Sequence, residues 1–317
     1  MPLSSAEDWL WDSWYCFDRD VFHAFHLTAP RSLGDTDLRH HNARVGHSIS
    51  RDLHNWEELP DALLPSTGNA FDNKAIWTGS VVKHAGLWHM FYTGIDKESV
   101  GKIQRLGHAI STDLMQWDRV SESPILIANS RWYATADTDF RGEKPFRDPW
   151  VFFLEEDQLW HMLITAREGG GAEKAAGTIG HATSSDLYSW ELKEPLCHES
   201  QFGQMEVLQV EQIDGKWFVI FCTSPSDVWD SQISAAYATY SAPADGPLGP
   251  FHLEKSVPLN GGGIYAARII RDAENNPLLI GFIDNGDPGG FTGTICDPLP
   301  LEVDARGCLV TKKTTLQ

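Results

Sequence analysis

Three carboxylic acids stand among residue types that suit chemistry. Asp12 lies between indoles in Trp11-Asp12-Ser13-Trp14. Asp148 follows a guanidinium and precedes a proline in Phe146-Arg147-Asp148-Pro149. Glu206 opens onto apolar neighbours in Met205-Glu206-Val207-Leu208. A carboxylate flanked by indoles is poorly suited to open surface, because the indoles carry large apolar area that favours burial. If the three met in one aromatic pocket, they would not all ionise comfortably. Their pKa values would spread, and one raised acid could give up a proton near neutral pH. Each acid also has a bland reading: Asp148 in an Asp-Pro turn, Asp12 at a strand end. The acids are 136 and 58 positions apart, so the fold has to bring them together.

A repeat supplies such a fold. The string GHxxSxDLxxW occurs three times, beginning at Gly46, Gly107 and Gly180 and ending at Trp56, Trp117 and Trp190. Gly-His-x-x-Ser alternates as a strand does. Ser-x-Asp-Leu reads as a turn in which Asp bonds nearby backbone amides, with the Trp closing over it. His47, His108 and His181 recur in phase with this element, so they read as packing residues rather than ligands. An apolar, β-rich run precedes each copy, at 20–26, 87–92 and 159–164, and two later runs match at 216–221 and 277–282. Five strand-plus-hairpin units without helical periodicity predict an all-β chain, a single five-bladed β-propeller over residues 1–317.

About ten residues before each apolar run, the strand nearest the axis should begin. Asp12, the Trp77-Thr78-Gly79-Ser80 string, Asp148, Glu206 and Tyr265 hold these equivalent positions. In a propeller the same end of every inner strand faces one mouth of the central channel. The shared phase therefore predicts that the three acids converge there, at an active site. Paired carboxylates at such a mouth suit glycoside hydrolysis: one attacks the anomeric carbon and one protonates the leaving oxygen. The third can hold sugar hydroxyls as charge develops.

Composition narrows the partners. The chain carries 25 basic and 44 acidic residues, a formal charge of −19. That argues against nucleic acid and against an anionic membrane surface, and it suits a neutral small saccharide. Thirteen tryptophans fill cores but also stack on sugar rings. The first residues lack a basic region followed by an apolar run, and no stretch has the length of a membrane span. Five cysteines without a CxxC spacing read as reduced thiols, with no zinc site. The expectation is a cytoplasmic protein with no metal and no cofactor. His26, His40, His41 and His47 read as pocket or packing residues, with the loop around His40-His41 able to reach the pocket mouth.

At these residues the chain resembles the fructosyl-processing glycosidases, glycoside hydrolase families 32 and 68. Trp11-Asp12-Ser13-Trp14 looks like the nucleophile string of family 68. Phe146-Arg147-Asp148-Pro149, Trp77-Thr78-Gly79-Ser80, Phe91-Tyr92-Thr93-Gly94 and the segment from Gly46 to Pro60 are similar to family 32. Gly263-Ile264-Tyr265-Ala266-Ala267-Arg268 fits that family's fifth blade. The resemblance implies a retaining β-fructofuranosidase-like enzyme, acting by hydrolysis or transfer on a terminal furanosyl unit. Asp12 would be the nucleophile, Asp148 the transition-state stabiliser and Glu206 the acid/base. Trp11, Trp14, Trp77, Arg147 and Tyr265 would bind substrate. Two strings depart from family 32: Trp-Asp-Ser-Trp replaces Asn-Asp-Pro-Asn, and Glu206 lacks a following Cys-Pro or Arg-Pro. The chain ends about 34 residues after Ile283, so no C-terminal β-sandwich is expected, and a homodimer is a possible arrangement. Two alternatives stay open: an arabinofuranosidase or xylosidase of the family 43 type, and a non-catalytic sugar-binding propeller.

Overall fold

Alternating side chains and tight turns divide the chain into antiparallel sheets arranged as the blades of a five-bladed β-propeller. The structure, a computed structural model, describes residues 1–139, 141–170, 175–198 and 200–312. Blade 1 comprises Asp8–Asp18, Val21–Pro30, Arg44–Ser50 and Trp56–Leu63. Blade 2 comprises Ala75–His84, Leu87–Ile95, Gln104–Ser111 and Asp118–Arg119. Blade 3 comprises Phe146–Leu154, Leu159–Arg167, Gly177–Ser184 and Glu191–Leu192. Blade 4 comprises Glu206–Ile213, Lys216–Thr223, Ala238–Ala244 and Val257–Pro258. Blade 5 opens with Ile264–Arg271 and Pro277–Ile283, then adds Thr294–Ile295 and Leu299–Val303. Leu3–Ser4, ahead of blade 1, pairs with Thr294–Ile295 of blade 5. That pairing ties the start of the chain to the last blade and closes the ring, protecting edges that open sheets would expose.

The hairpins joining first and second strands obey turn sterics. Ala85-Gly86 and Asp214-Gly215 have positive φ at both central residues, as does Arg19-Asp20. This is the type I′ geometry whose twist matches the flanking strands.

The repeated string does what its residue types imply. Ser50, Ser111 and Ser184 accept the amide N–H of Leu53, Leu114 and Leu187 at 2.9, 2.8 and 2.9 Å. Each leucine sits at positive φ, a conformation held by the acceptors around it. Asp52, Asp113 and Asp186 accept the next two amides. The Trp117 and Trp190 indoles donate back to Leu114 and Leu187 carbonyls. Their rings also pack edge-on against Phe25 and Phe91 of the preceding blade, with centroids 5.5 Å apart. The motif is therefore also an inter-blade joint.

The histidines of the repeat are structural. His23 and His47, His89 and His108, and His161 and His181 pair across neighbouring strands at 2.9 Å each. All six are buried, and His47 and His108 stack on Phe25 and Phe91 at 4.5 Å. Burial holds His47 and His108 down to about 3 and His181 to about 4. These rings are hydrogen-bonded fillers of the blades.

Candidate active site

All five inner strands carry a β-bulge at the same phase. The ladder register shifts between Trp11 and Ser13, Trp77 and Gly79, Arg147 and Trp150, Glu206 and Gln209, and Tyr265 and Arg268. A bulge leaves a residue outside the ladder and re-aims its side chain. Asp12, Thr78 and Asp148 are such residues, and Asp148 is held at φ +56°. In blades 1, 2 and 3 the bulge thus turns Asp12, Thr78 and Asp148 toward the axis, while Glu206 and Tyr265 stand in the ladder at the start of theirs.

They meet in one cavity of about 350 Å³, lined by Asp12, Asp148 and Glu206 together with Trp11, Trp77, Arg147 and Tyr265. The expected convergence of the acids is what the fold produces. Trp14 is a correction. Expected beside the sugar, it is 1% exposed and stacks on Phe25 at 6.3 Å in the core. Once the bulge has diverted Asp12, Ser13 and Trp14 rejoin the ladder, and the Trp14 ring faces its own blade's neighbour strand.

Hydrogen bonds fix each acid differently. Thr78 Oγ1 donates to Asp12 Oδ2. Asp148 Oδ2 accepts from Thr165 at 2.9 Å and from the Val207 amide at 3.3 Å. Glu206 Oε1 accepts from Arg147 Nη2 at 2.5 Å and from Gln204 at 3.2 Å, while Tyr265 donates to Oε2 at 2.7 Å. Arg147 also reaches Asp148 at 3.5 Å and Gln104 Oε1 at 2.9 Å. One guanidinium therefore bridges two of the three acids.

Burial, and then the charge of Asp148, pushes Asp12 up to about 7, with the Thr78 bond opposing. Burial also raises Asp148, against the pull of Arg147. Beneath the acids, Arg268 is 1% exposed and donates to the Leu208 carbonyl at 2.6 Å. Burial lowers it to about 10, and Asp148 and Asp12 pull the other way. It remains a cation behind the acids. The cavity thus holds a carboxyl that titrates near neutrality beside two further acids held by donors, groups of the kind that acid/base and nucleophilic work requires.

Several walls of the cavity have no counterpart in the strand pattern. Arg39 and His40 come from the short helical turn Thr36–His41, and Trp77 Nε1 donates to the His40 carbonyl at 2.6 Å. His40 confirms that this loop reaches the mouth. Arg141, Glu143, Gln204 and Tyr237 line it from other loops. Arg141 bonds Asp227 at 2.5 Å, and Glu143 bonds Arg167 at 2.7 Å. Thr78 alone had a usable signal, since it occupies the blade 2 position equivalent to the acids.

Residues 7–291 match the glycosyl hydrolases family 32 N-terminal domain. The chain belongs to glycosyl hydrolase family 32. Among curated relatives of this family member, it is 31% identical over 193 residues to the "Beta-fructofuranosidase, insoluble isoenzyme 7" of Oryza sativa subsp. indica, covering 60% of this chain and 29% of the relative. It is 29% identical over 196 residues to the "Fructan 6-exohydrolase" of Triticum aestivum, covering 60% of this chain and 30% of the relative. The matched segment thus spans less than a third of those plant relatives. The fold matches the inulosucrase of Halalkalicoccus jeotgali solved with kestose, at TM-score 0.77 and 20% identity, over 97% of this chain and 87% of that one. It also matches the sucrose-6-phosphate hydrolase of Lactobacillus gasseri, at TM-score 0.74 and 18% identity, over 98% of this chain and 62% of that one.

Proposed function

We propose that this family 32 protein is a retaining β-fructofuranosidase-like glycosidase acting on a terminal furanosyl unit of small, neutral saccharides. The observation that carries the reading is the set of three acids in one cavity, with Arg147 bonded to Glu206 and beside Asp148. Asp12 attacks the anomeric carbon as its bond to the leaving oxygen breaks, and Glu206 gives that oxygen its proton. A furanosyl ester forms on Asp12. Glu206, now a base, takes a proton from water or a second sugar, which attacks the ester and frees Asp12. Asp148, buried and fixed by Thr165 and the Val207 amide, holds ring hydroxyls as positive charge develops on the sugar. The five cysteines are free thiols, which fits the reducing conditions of the cytoplasm, where imported sugars would be the substrates.

The protonation states give this reading a distinctive demand. Asp12 has to be ionised and Glu206 protonated for the first step. In the resting cavity Asp12 titrates near 7, while Glu206 is held by Arg147, Gln204 and Tyr265. Below pH 7 Asp12 therefore carries a proton that it has to lose before attack. The Asp148 charge acts on Asp12, so the titrations of these two are coupled. The test is reducing-sugar release from sucrose, short fructans and aryl arabinofuranosides, with Asp12→Asn as control. Fructose release that the variant loses supports the proposal. Release of arabinose alone, or no turnover of any furanoside, overturns it.

A further inference from the structure

Arg39 is held unlike the other guanidiniums that line the cavity. Arg147 pairs with Glu206 and Arg141 with Asp227, each at 2.5 Å. Arg39 is 6% exposed, yet its carboxylate contact is a 3.9 Å approach to Asp37, whose own side chain is 92% exposed. Its Nη1 donates to the Thr36 carbonyl at 2.8 Å, and its buried Nε has no partner among the described residues. The guanidinium lies 4.0 Å over the Phe291 ring and 5.8 Å from the Trp11 ring. Cation–π contact and the Thr36 bond hold the fork in place. A buried donor left unpaired is costly, so this arrangement is stable only if an acceptor arrives with the ligand or water fills in for it.

The surroundings say what kind of acceptor. Asp12 and Asp284 both act on Arg39 electrostatically, as does the Tyr237 hydroxyl. Carboxylates on this flank already balance its charge at longer range, and they would repel an anionic substituent. Neutral oxygens would be accepted: a planar fork of N–H donors matches two adjacent hydroxyls.

We propose that Arg39 is a substrate-binding residue that donates to hydroxyl oxygens of the neutral furanosyl unit and so sets the specificity of the cavity. This rests on the furanosidase reading above. When sugar displaces water from the mouth, the Arg39 guanidinium donates to sugar oxygens, while Arg147 stays committed to Asp148 and Glu206.

The experiment is a kinetic cycle. Arg39→Met and Arg39→Lys are compared with the parent enzyme on the best substrate. The same is done with analogues lacking one furanosyl hydroxyl at a time, and with the analogue phosphorylated on the furanosyl unit. The parent enzyme should lose about 10- to 100-fold in kcat/KM on at least one deoxy analogue, the range for a hydrogen bond to a charged group. Arg39→Met should lose a similar factor on the full substrate, mostly in KM, and nothing further on that analogue. Lysine should restore only part, lacking the fork. The phosphorylated analogue should be poorer than the neutral one. Equal losses on every substrate would mean a structural role and overturn the proposal, as would a preference for the phosphorylated analogue that Arg39→Met abolishes. A second readout covers misfolding of the variants. The Nε–H NMR signal of Arg39 should shift when Asp12→Asn protein is saturated with sugar, and an unmoved signal under saturation overturns the proposal. If the signal shifts while the parent enzyme turns over no furanoside, Arg39 stands as a sugar ligand and the enzymatic reading falls alone.

Discussion

Replacing Asp12 with asparagine should destroy activity and stabilise the fold, and the stabilisation should depend on pH. Burial and the Asp148 charge raise Asp12 from 3.8 to about 7. The unfolded chain binds its proton only near 3.8. Above pH 7, therefore, the folded protein carries an ionised group in a place that disfavours it. The cost at pH 8 is about 4 kcal/mol, from about 1.4 kcal/mol for each pH unit between the two values. As pH falls through 7, the folded state takes up the proton and the cost declines, to under about 1 kcal/mol at pH 4. Asparagine is near isosteric, still accepts the Thr78 hydroxyl, and carries no charge. The variant should thus melt about 8 °C higher than the parent at pH 8, at about 2 °C per kcal/mol for a chain of this size, and about 1 °C higher at pH 4. Turnover should fall at least ~10³-fold, as loss of a nucleophile does. Thermal melts and initial rates on both proteins across this pH range are the assay. A variant that melts no higher at pH 8, or whose advantage is the same at both ends, would refute the electrostatic account. A variant that keeps a tenth of the activity would refute the nucleophile.

Other expectations follow from the same geometry. The kcat/KM profile should fall on its acid side with an apparent value near 7, as the Asp12 nucleophile takes up a proton, and Asp148→Asn should move that limb to lower pH because a neighbouring charge is gone; an unchanged limb would contradict the coupling. Glu206→Gln should cost ~10³-fold on sugars with poor leaving groups and far less on an activated aryl furanoside, since only the former need the acid; equal losses on both would argue against an acid role. In the Asp12→Asn background, stability should fall steeply between pH 6 and 4. The unfolded chain protonates His47, His108 and His181 near 6.5, while burial keeps them neutral in the fold down to about 3 or 4, giving roughly 3 kcal/mol per pH unit. A flat urea-denaturation midpoint over that range would refute it. Trp117→Ala should cost about 3–5 kcal/mol by emptying the joint against Phe25, seen as a lowered denaturation midpoint without a changed pH profile of activity.

What the sequence determined by itself was everything carried by local periodicity. The GHxxSxDLxxW string placed the third strands and their turns, because Ser and Asp side chains satisfy backbone amides within a few residues. The apolar runs placed the second strands, and counting back from them put Asp12, Asp148 and Glu206 at one phase. Those inferences needed only local chemistry and the symmetry of blades around an axis. Tertiary structure decided the rest. Period two cannot say which face a residue takes once a bulge inserts an extra position, so Trp11 lines the cavity while Trp14, three residues on, is core. Arg39 and His40 reach the mouth from the turn before the third strand of blade 1, and Arg141 from a loop between blades. No periodicity marks such residues, because their positions depend on contacts far away in the chain: Phe291 under Arg39, Trp77 against His40, and Asp227 on Arg141. The ionisation of Asp12 is decided there too. It follows from burial and from a second carboxylate 136 residues away, a proximity that exists only once the propeller has closed.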